Sequence, residues 1–462
     1  MSAKLRKSRQ SPAPALRSER DLLQIANVVL RLAKQRGVPE TEVHLDESIQ
    51  ALTRFANNTI HQNVADQGLV VSIRTAADGR TARVTTNRID EDSLRAAIDN
   101  CLSLASHQPK DPTLLPMPGK QHYRTVRRFD SATAAITPDD RARAVKAACQ
   151  LADKRGQVAA GIFSSGQSQS VLVNSRGLAA AYRHTNATFS VTMQQGSAAS
   201  WAKANSGMVR HIDPPQLARI ASDKAARAQD PVELSPGRFT VILEPAAVLD
   251  LVGFLFYDFA GTAVADKRSC FSGRLGKALL GKNITITDDA YHPHQLGSPF
   301  DGEGLPRQKV QLVDRGTIKN LVYSRVSAKK AHAKPTGHGV PLPNEYGEAP
   351  LNLVVTGGNT SLDQMITSTE HGLLVTRLWY IREVDPYEKV MTGMTRDGLF
   401  QIARGKITKA AKNFRFNQSV LEMLRNVDAL GPSQRATGEE AFEMVVPPMK
   451  IRNFHFSEVT KF

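Results

Sequence analysis

The feature that most constrains this chain is a change of hydrophobic period that occurs twice in its first half. Residues 20–36 repeat apolar side chains at helical spacing and end in a basic last turn before Gly37, which predicts a helix with a C-terminal stop. From Glu42 to Thr86 the period drops to two, and Ala77-Asp78-Gly79 supplies the tight turn of a hairpin, so a small antiparallel sheet is expected. A helix from about Asp90 to Ser106 follows, opened by acidic residues that suit a helix N-terminus.

The order then recurs. After a Pro-rich, basic stretch from His107 to Ala135 with no steady period, Thr137-Pro138-Asp139-Asp140 opens a second helix with a hydroxyl cap, proline at the first position and carboxylates against the dipole. It runs to Lys154 and stops at Gly156; alternating strands follow, turned at Asn174-Ser175-Arg176-Gly177, and a helix from about Pro215 to Ala228 closes the segment. The two halves share a layout without amounting to a sequence repeat.

Beyond a junction at Pro231, Ser235, Pro236 and Gly237 the chain becomes richer in strands. FTVILEP reads as a short buried strand, Ala246 to Phe259 as an apolar helix, and KVQLVDRGTIKNLVYS and GLFQIARGKIT as strands with Gly or Asn turns. Continuous strand-helix-strand alternation is absent, which argues against a doubly wound parallel sheet and for an α+β architecture. The expected organisation is a disordered basic tail over 1–19, an N-terminal domain over 20–232 mixing helices with antiparallel sheet, and a C-terminal domain over 233–462.

Composition excludes several classes. With 462 residues, 41% hydrophobic and 23% charged, the chain can bury its own cores. No apolar run reaches the length of a membrane span, and the first twenty residues lack the apolar stretch of a secretory signal, so a cytoplasmic protein is expected. Cys101, Cys149 and Cys270 are too few and too far apart for a disulfide framework or a CxxC metal site. The net charge of +16 would draw polyanions, but it is dispersed; the runs Arg124 to Arg128 and Lys329 to Lys334 are short and sit beside no recognisable nucleic-acid fold motif or aromatic stacking platform, so the sequence argues against nucleic acid as a partner.

Four stretches of the C-terminal half, in order, carry a resemblance. They are Val241-Ile242-Leu243-Glu244-Pro245-Ala246-Ala247, Ser298-Pro299-Phe300-Asp301-Gly302-Glu303-Gly304, Ala333-Lys334-Pro335-Thr336-Gly337-His338, and a closing run from Gly372 through Thr395-Arg396-Asp397-Gly398-Leu399-Phe400 to Gly405-Lys406-Ile407, ahead of a helical tail ending in Leu430-Gly431. Together they resemble the TldD/PmbA family of peptidase-related proteins. The resemblance implies a C-terminal domain with a strongly curved sheet. In catalytic members it also implies zinc on a helix bearing a His-Glu pair with a second His a turn later, completed by a late Cys. That spacing sets two imidazoles on one helix face, with a carboxylate to activate water.

This chain departs from that pattern at its centre. The corresponding segment, AVLDLVGFLFYDFAG, has no His, no His occurs between His211 and His292, and no Cys follows Cys270. Asp250 and Asp258 lie eight residues apart, about two turns, and make a poor zinc pair. The resemblance is therefore to the PmbA-like (TldE) branch: no catalytic and no metal-ligating residue is expected in this chain, and zinc only in a TldD-like partner. The implied role is proteolysis or processing of peptides as the non-metal-binding subunit of such a pair, with unfolded peptide as substrate. A stand-alone peptide-binding or scaffold homodimer and a basic nucleic-acid-associated protein are the alternatives.

Several side chains are candidates for a substrate groove. Thr336, Gly337 and His338 lie in a resembling segment where small residues would let a backbone approach. Asp301 and Glu303, between glycines, read as an exposed acidic loop, and Thr395, Arg396 and Asp397 precede a hydrophobic strand and could line the same chamber or form a salt bridge that holds the loop. His292 and His294 form an HxH pair, but the proline between them favours a surface or structural role over metal. Gly357-Gly358-Asn359 lacks the Lys-Ser/Thr of a phosphate loop, and no Gly-x-Ser-x-Gly elbow occurs.

Overall fold

The computed structural model describes residues 15–460. Its first half is two copies of one arrangement. In the first, helix α1 (Glu19–Gln35) leads into strands β1 (Glu40–Ala56), β2 (Thr59–Ala77) and β3 (Arg80–Thr86) and then helix α2 (Glu91–His107). In the second, after a short turn α3 (Ser131–Ala134), helix α4 (Pro138–Lys154) leads into β4 (Val158–Asn174), β5 (Ala179–Gln195) and β6 (Ala198–Ser206) and then helix α5 (Pro214–Arg227). The strands form one antiparallel sheet in the order β3-β2-β1-β4-β5-β6, so the two halves abut through β1 and β4.

Side-chain parity explains why all four long helices share one face of this sheet. Val43, Leu45, Val71, Ile73, Val171 and Val173 pack against α1 and α2, while Phe55, Phe163, Phe189 and Val191, of the same parity along their strands, pack against α4 and α5. The expected caps are in place: Thr137 and Asp140 form a reciprocal capping box at α4, and Asp78 and Gly79 turn the β2–β3 hairpin with positive φ. Of the expected disordered tail, residues 1–14 lie outside the described residues; Arg17 is paired with Glu47 and Ser18 caps α1, so 17–19 are built into the fold.

The second half holds two further sheets. Strands β7 (Gly237–Leu243), β8 (Ile286–Asp288), β9 (Val310–Asp314), β10 (Thr317–Ile318), β11 (Leu353–Val355), β12 (His371–Asp385), β13 (Val390–Ala403), β14 (Lys406–Ala410), β15 (Phe414–Ser419), β16 (Val427–Leu430), β17 (Gln434–Ala436), β18 (Met444–Val446) and β19 (Met449–Val459) run in chain order. One sheet runs β10-β9-β8-β11-β18-β17. The other runs β12-β7-β19-β15-β13-β14, and because β12 also pairs with β13 it curls until it closes on itself. All of its pairings are antiparallel except β12 with β7. The expected curved, largely antiparallel body is therefore a closed barrel, which removes the exposed edges an open sheet would carry.

Between barrel and sheet lies the largest core, with Phe259, Phe271, Phe414, Phe416, Phe454 and Phe456 all buried. The apolar helix expected over 246–259 is split: helix α6 covers Pro245–Val252, and Gly253–Phe259 tightens into a 3₁₀ turn. At Gly253 a Cβ would come within 2.5 Å of Ala441 Cβ, so the change of helix type coincides with close approach of another segment. The expected helical tail before Leu430-Gly431 is likewise shorter: Val420–Arg425 is helical and the chain then enters β16.

Candidate functional site

Helix α6 positions Asp250 in the interior. The side chain has no solvent exposure; one carboxylate oxygen accepts the backbone N–H of Glu440 at 3.2 Å, and the other has no partner. Burial, with the Glu440 and Glu439 carboxylates nearby, pushes its pKa up to about 7. The chain comes this close only because residue 438 is glycine, since a Cβ there would sit 2.1 Å from Asp250 Oδ1. Two turns on, Asp258 accepts the Cys270 N–H at 2.8 Å and pairs at 2.5 Å with Lys389, which also pairs with Glu383 at 2.6 Å.

This donor set does not fit zinc. The segment of α6 and the 3₁₀ turn offers carboxylates alone, one capping a loop and the other paired with lysine, with no imidazole among its residues and the Cys270 thiol as the sulfur group beside Asp258. Among the described residues no three His, Cys, Asp or Glu side chains gather as a metal site. Cys270 is buried, and burial raises its thiol pKa, the reverse of what a thiolate ligand needs.

The Gly438–Glu440 loop joins a cluster that the sequence did not reveal as one. Lys203 of β6 donates to the Gly438 carbonyl at 2.9 Å and lies 3.3 Å from Glu439. Arg377 of β12 pairs with Asp397 of β13, approaches Glu439 at 3.9 Å, and stacks 4.8 Å over the ring of Trp201. Arg396 covers Trp379 at 4.8 Å, and Glu440 accepts the Tyr380 N–H. Both barrel strands are irregular here: the β12–β13 register shifts between Val375 and Arg377, and Asp397 adopts φ +54°. Such bulges re-aim side chains, here bringing a charged, aromatic-lined surface against the first-half sheet. No local pattern could have announced it, because its members come from positions near 201, 250, 377, 397 and 439.

Thr395, Arg396 and Asp397 thus fall in or beside this cluster. The salt bridge weighed for them is present as Arg377–Asp397, while Thr395 is buried, donating to Asn413 and accepting the Phe414 N–H, each at 3.0 Å. The remaining candidates gather elsewhere, and there the expectation of an exposed acidic loop is corrected. Asp301 and Glu303 are 3% and 4% exposed. Asp301 accepts the N–H groups of Glu303, Leu305 and Gly339, and Glu303 accepts that of Arg325, so the carboxylates face inward to satisfy loop amides that have no strand partner.

His338 is also interior. Its Nε2 lies 2.9 Å from Asp288 and its Nδ1 2.9 Å from Thr336, with both His338 and Asp288 side chains fully enclosed. Burial works against ionising Asp288, yet His338 and Arg307 together hold its pKa below the ordinary carboxylate range. Gly337, at φ +69°, lets the backbone pass Pro306, whose carbonyl a Cβ would meet at 2.2 Å, so the close approach is to the chain's own backbone. His292 and His294 bond to each other's residue through the His294 N–H, at 3.3 Å from His292 Nδ1.

Two family models match this chain: residues 236–458 match the PmbA/TldA metallopeptidase C-terminal domain and residues 42–105 the PmbA/TldA metallopeptidase domain 1. The chain belongs to the TldD/PmbA family of metallopeptidase-related proteins. It is 26% identical over 48% of its length to a protein named metalloprotease from Methanothermobacter thermautotrophicus, spanning about half (49%) of that relative. To the metalloprotease PmbA of Escherichia coli it is 26% identical, over 69% of this chain and 71% of that one. The crystal structure of TldE from Thermococcus kodakarensis shares the fold, with a TM-score of 0.85 at 20% identity over 94% of this chain and 100% of that one.

Proposed function

We propose that this chain is the non-metal-binding subunit of a cytoplasmic zinc peptidase, paired with a TldD-like chain that carries the His-Glu helix. The observation that carries this reading is the use to which α6 and the 3₁₀ turn after it put their carboxylates: Asp250 caps the Gly438–Glu440 loop and Asp258 pairs with Lys389, so the segment that resembles a metal site serves the chain's own packing. The surrounding family body is retained, with Trp201, Arg377 and Trp379 presented beside it. An extended peptide would be held by backbone hydrogen bonds, which need few particular side chains, and the bond would be cut by the partner's chemistry. Among the described residues no helix is long and apolar enough to cross a membrane, which agrees with a peripheral or free subunit.

The test is purification of the tagged full chain from its own cells, followed by metal analysis and peptide cleavage. The expected result is co-elution with a family member bearing the His-Glu helix, sub-stoichiometric zinc in the isolated chain, and cleavage only when the two are combined. Stoichiometric zinc in the isolated chain, lost together with a chelator-sensitive cleavage, would overturn the proposal. A homodimer that leaves a TldD-like chain's activity unchanged would point to the scaffold reading instead.

A further inference from the structure

Residues 121–127 form a strap with neither helix nor strand, leading into a bridge between Arg128 and His184 of β5 and lying near the start of α1. Under it opens a cleft of about 670 Å³ whose wall includes Arg17, Arg124, Arg127, Arg128 and Arg183. Glu19 is the one carboxylate in that wall. Tyr123 and Phe129 flank the Arg124 to Arg128 run in the sequence, and folding brings Tyr291 and Arg183 to it from distant segments.

The guanidinium of Arg124 lies 4.6 Å over the ring of Tyr291, and that of Arg183 lies 4.5 Å over Phe129. A stacked guanidinium has its plane fixed through its face, while the N–H donors along its edge remain free to bind an oxyanion. Arg17 is already tied to Glu47, and Arg128 is held by the carbonyls of Ala290 and His292, leaving its Nε buried without a partner. Arg124, Arg127 and Arg183 have no carboxylate within ion-pair distance among the described residues. The backbone N–H groups of Arg124, Thr125, Val126 and Arg127 donate to no other backbone group.

We infer that this cleft binds an acidic peptide segment, its clustered Asp or Glu carboxylates received by the stacked arginines and its backbone lying along the strap. Three observations select that occupant. Oriented, unpaired guanidiniums match carboxylates in bidentate fashion. A strap with free amides offers an extended chain main-chain partners. The aromatic rings of the wall are already engaged, Phe129 by Arg183, Tyr182 by His184 and Tyr123 by Phe300, which disfavours the base stacking a single-stranded nucleic acid would use. The chain's own first fourteen residues carry four basic and no acidic side chains, so they are no charge complement for the cleft. The choice of a peptide rests on the peptide-handling role proposed above, whereas the anion preference rests on the cleft alone.

The experiment measures binding of a fluorescent hexaglutamate-containing peptide to the isolated full chain, with no partner and no cleavage required. Its failure therefore leaves the subunit proposal standing, and failure to find a partner leaves this one standing. The hexaglutamate peptide is expected to bind at least about tenfold more tightly than its hexaglutamine counterpart, with affinity falling as salt is raised. R124A/R183A is expected to weaken it at least about tenfold, R124K/R183K to weaken it less, and R127A alone to weaken it in the same direction. Each variant's thermal midpoint is checked, and K329A/K330A, on a separate basic helix, is expected to bind as the parent does. Equal loss in K329A/K330A would show diffuse attraction to the net charge and sink the proposal. So would unchanged affinity in R124A/R183A, or a single-stranded oligonucleotide binding more tightly than the peptide through the same arginines.

Discussion

Asp250 accepts a hydrogen bond from the backbone N–H of Glu440, 190 residues further along the chain, at 3.2 Å and with no solvent in reach. Folding raises the Asp250 pKa from an ordinary carboxyl value to about 7. The native state therefore holds a proton that the unfolded chain releases near pH 4. The associated stability is present below the unfolded pKa and is lost as pH rises towards 7. Asp250→Asn keeps an acceptor without a charge, so the urea midpoint of this variant should decline less than that of the parent between pH 4 and 8. The difference is bounded at roughly 4 kcal/mol for about three pKa units. Parallel pH profiles would show that Asp250 does not titrate in this window.

Gly438→Ala places a methyl group against the same carboxylate. The added Cβ would sit 2.1 Å from Asp250 Oδ1, and Asp250 is too enclosed to retreat. Overpacking of this kind costs about 1–3 kcal/mol, to be read as a lower chemical-denaturation midpoint with unchanged slope. A variant as stable as the parent would mean that the loop relaxes freely.

Lys389→Met removes the cation from a pair whose members are 5% and 3% exposed. Leaving Asp258 unpaired in the core is expected to cost about 3–5 kcal/mol. Adding Asp258→Asn should recover much of the loss, and a double variant no better than the single would contradict the pairing.

His338→Ala strips Asp288 of its ring partner while Asn352 N–H still donates to the other oxygen at 2.7 Å. A loss of about 3–5 kcal/mol is expected near neutral pH, shrinking in acid as Asp288 takes up a proton. If His338 instead serves a substrate surface, the melting temperature would hardly change.

The local chemistry of the first half was legible residue by residue. Thr137, Pro138 and Asp140 define where α4 begins, and Asp78-Gly79 where the hairpin turns, because caps and turns are settled by interactions within a few residues. The layout of helix, hairpins and helix could also be read twice. The union of both copies in one six-stranded sheet could not, since it depends on β1 pairing with β4 across more than a hundred residues.

Burial of charge was the least legible property. Asp301 and Glu303 between glycines have the composition of a solvated turn, and nothing nearby shows that the amides of Gly339 and Arg325 will arrive to be capped. The stacking of Arg124 on Tyr291 and of Arg377 on Trp201 was hidden for the same reason.

By itself the sequence determined the α+β class, the caps and turns, and the lack of imidazole in the α6 segment, because each depends on residue identity and short-range periodicity. Tertiary structure alone decided that the last sheet closes into a barrel, that Asp250 and Asp258 serve internal contacts, and that dispersed arginines converge on one cleft. Those outcomes depend on distances between segments far apart in the chain, which burial of apolar surface fixes only when all the strands have found their partners.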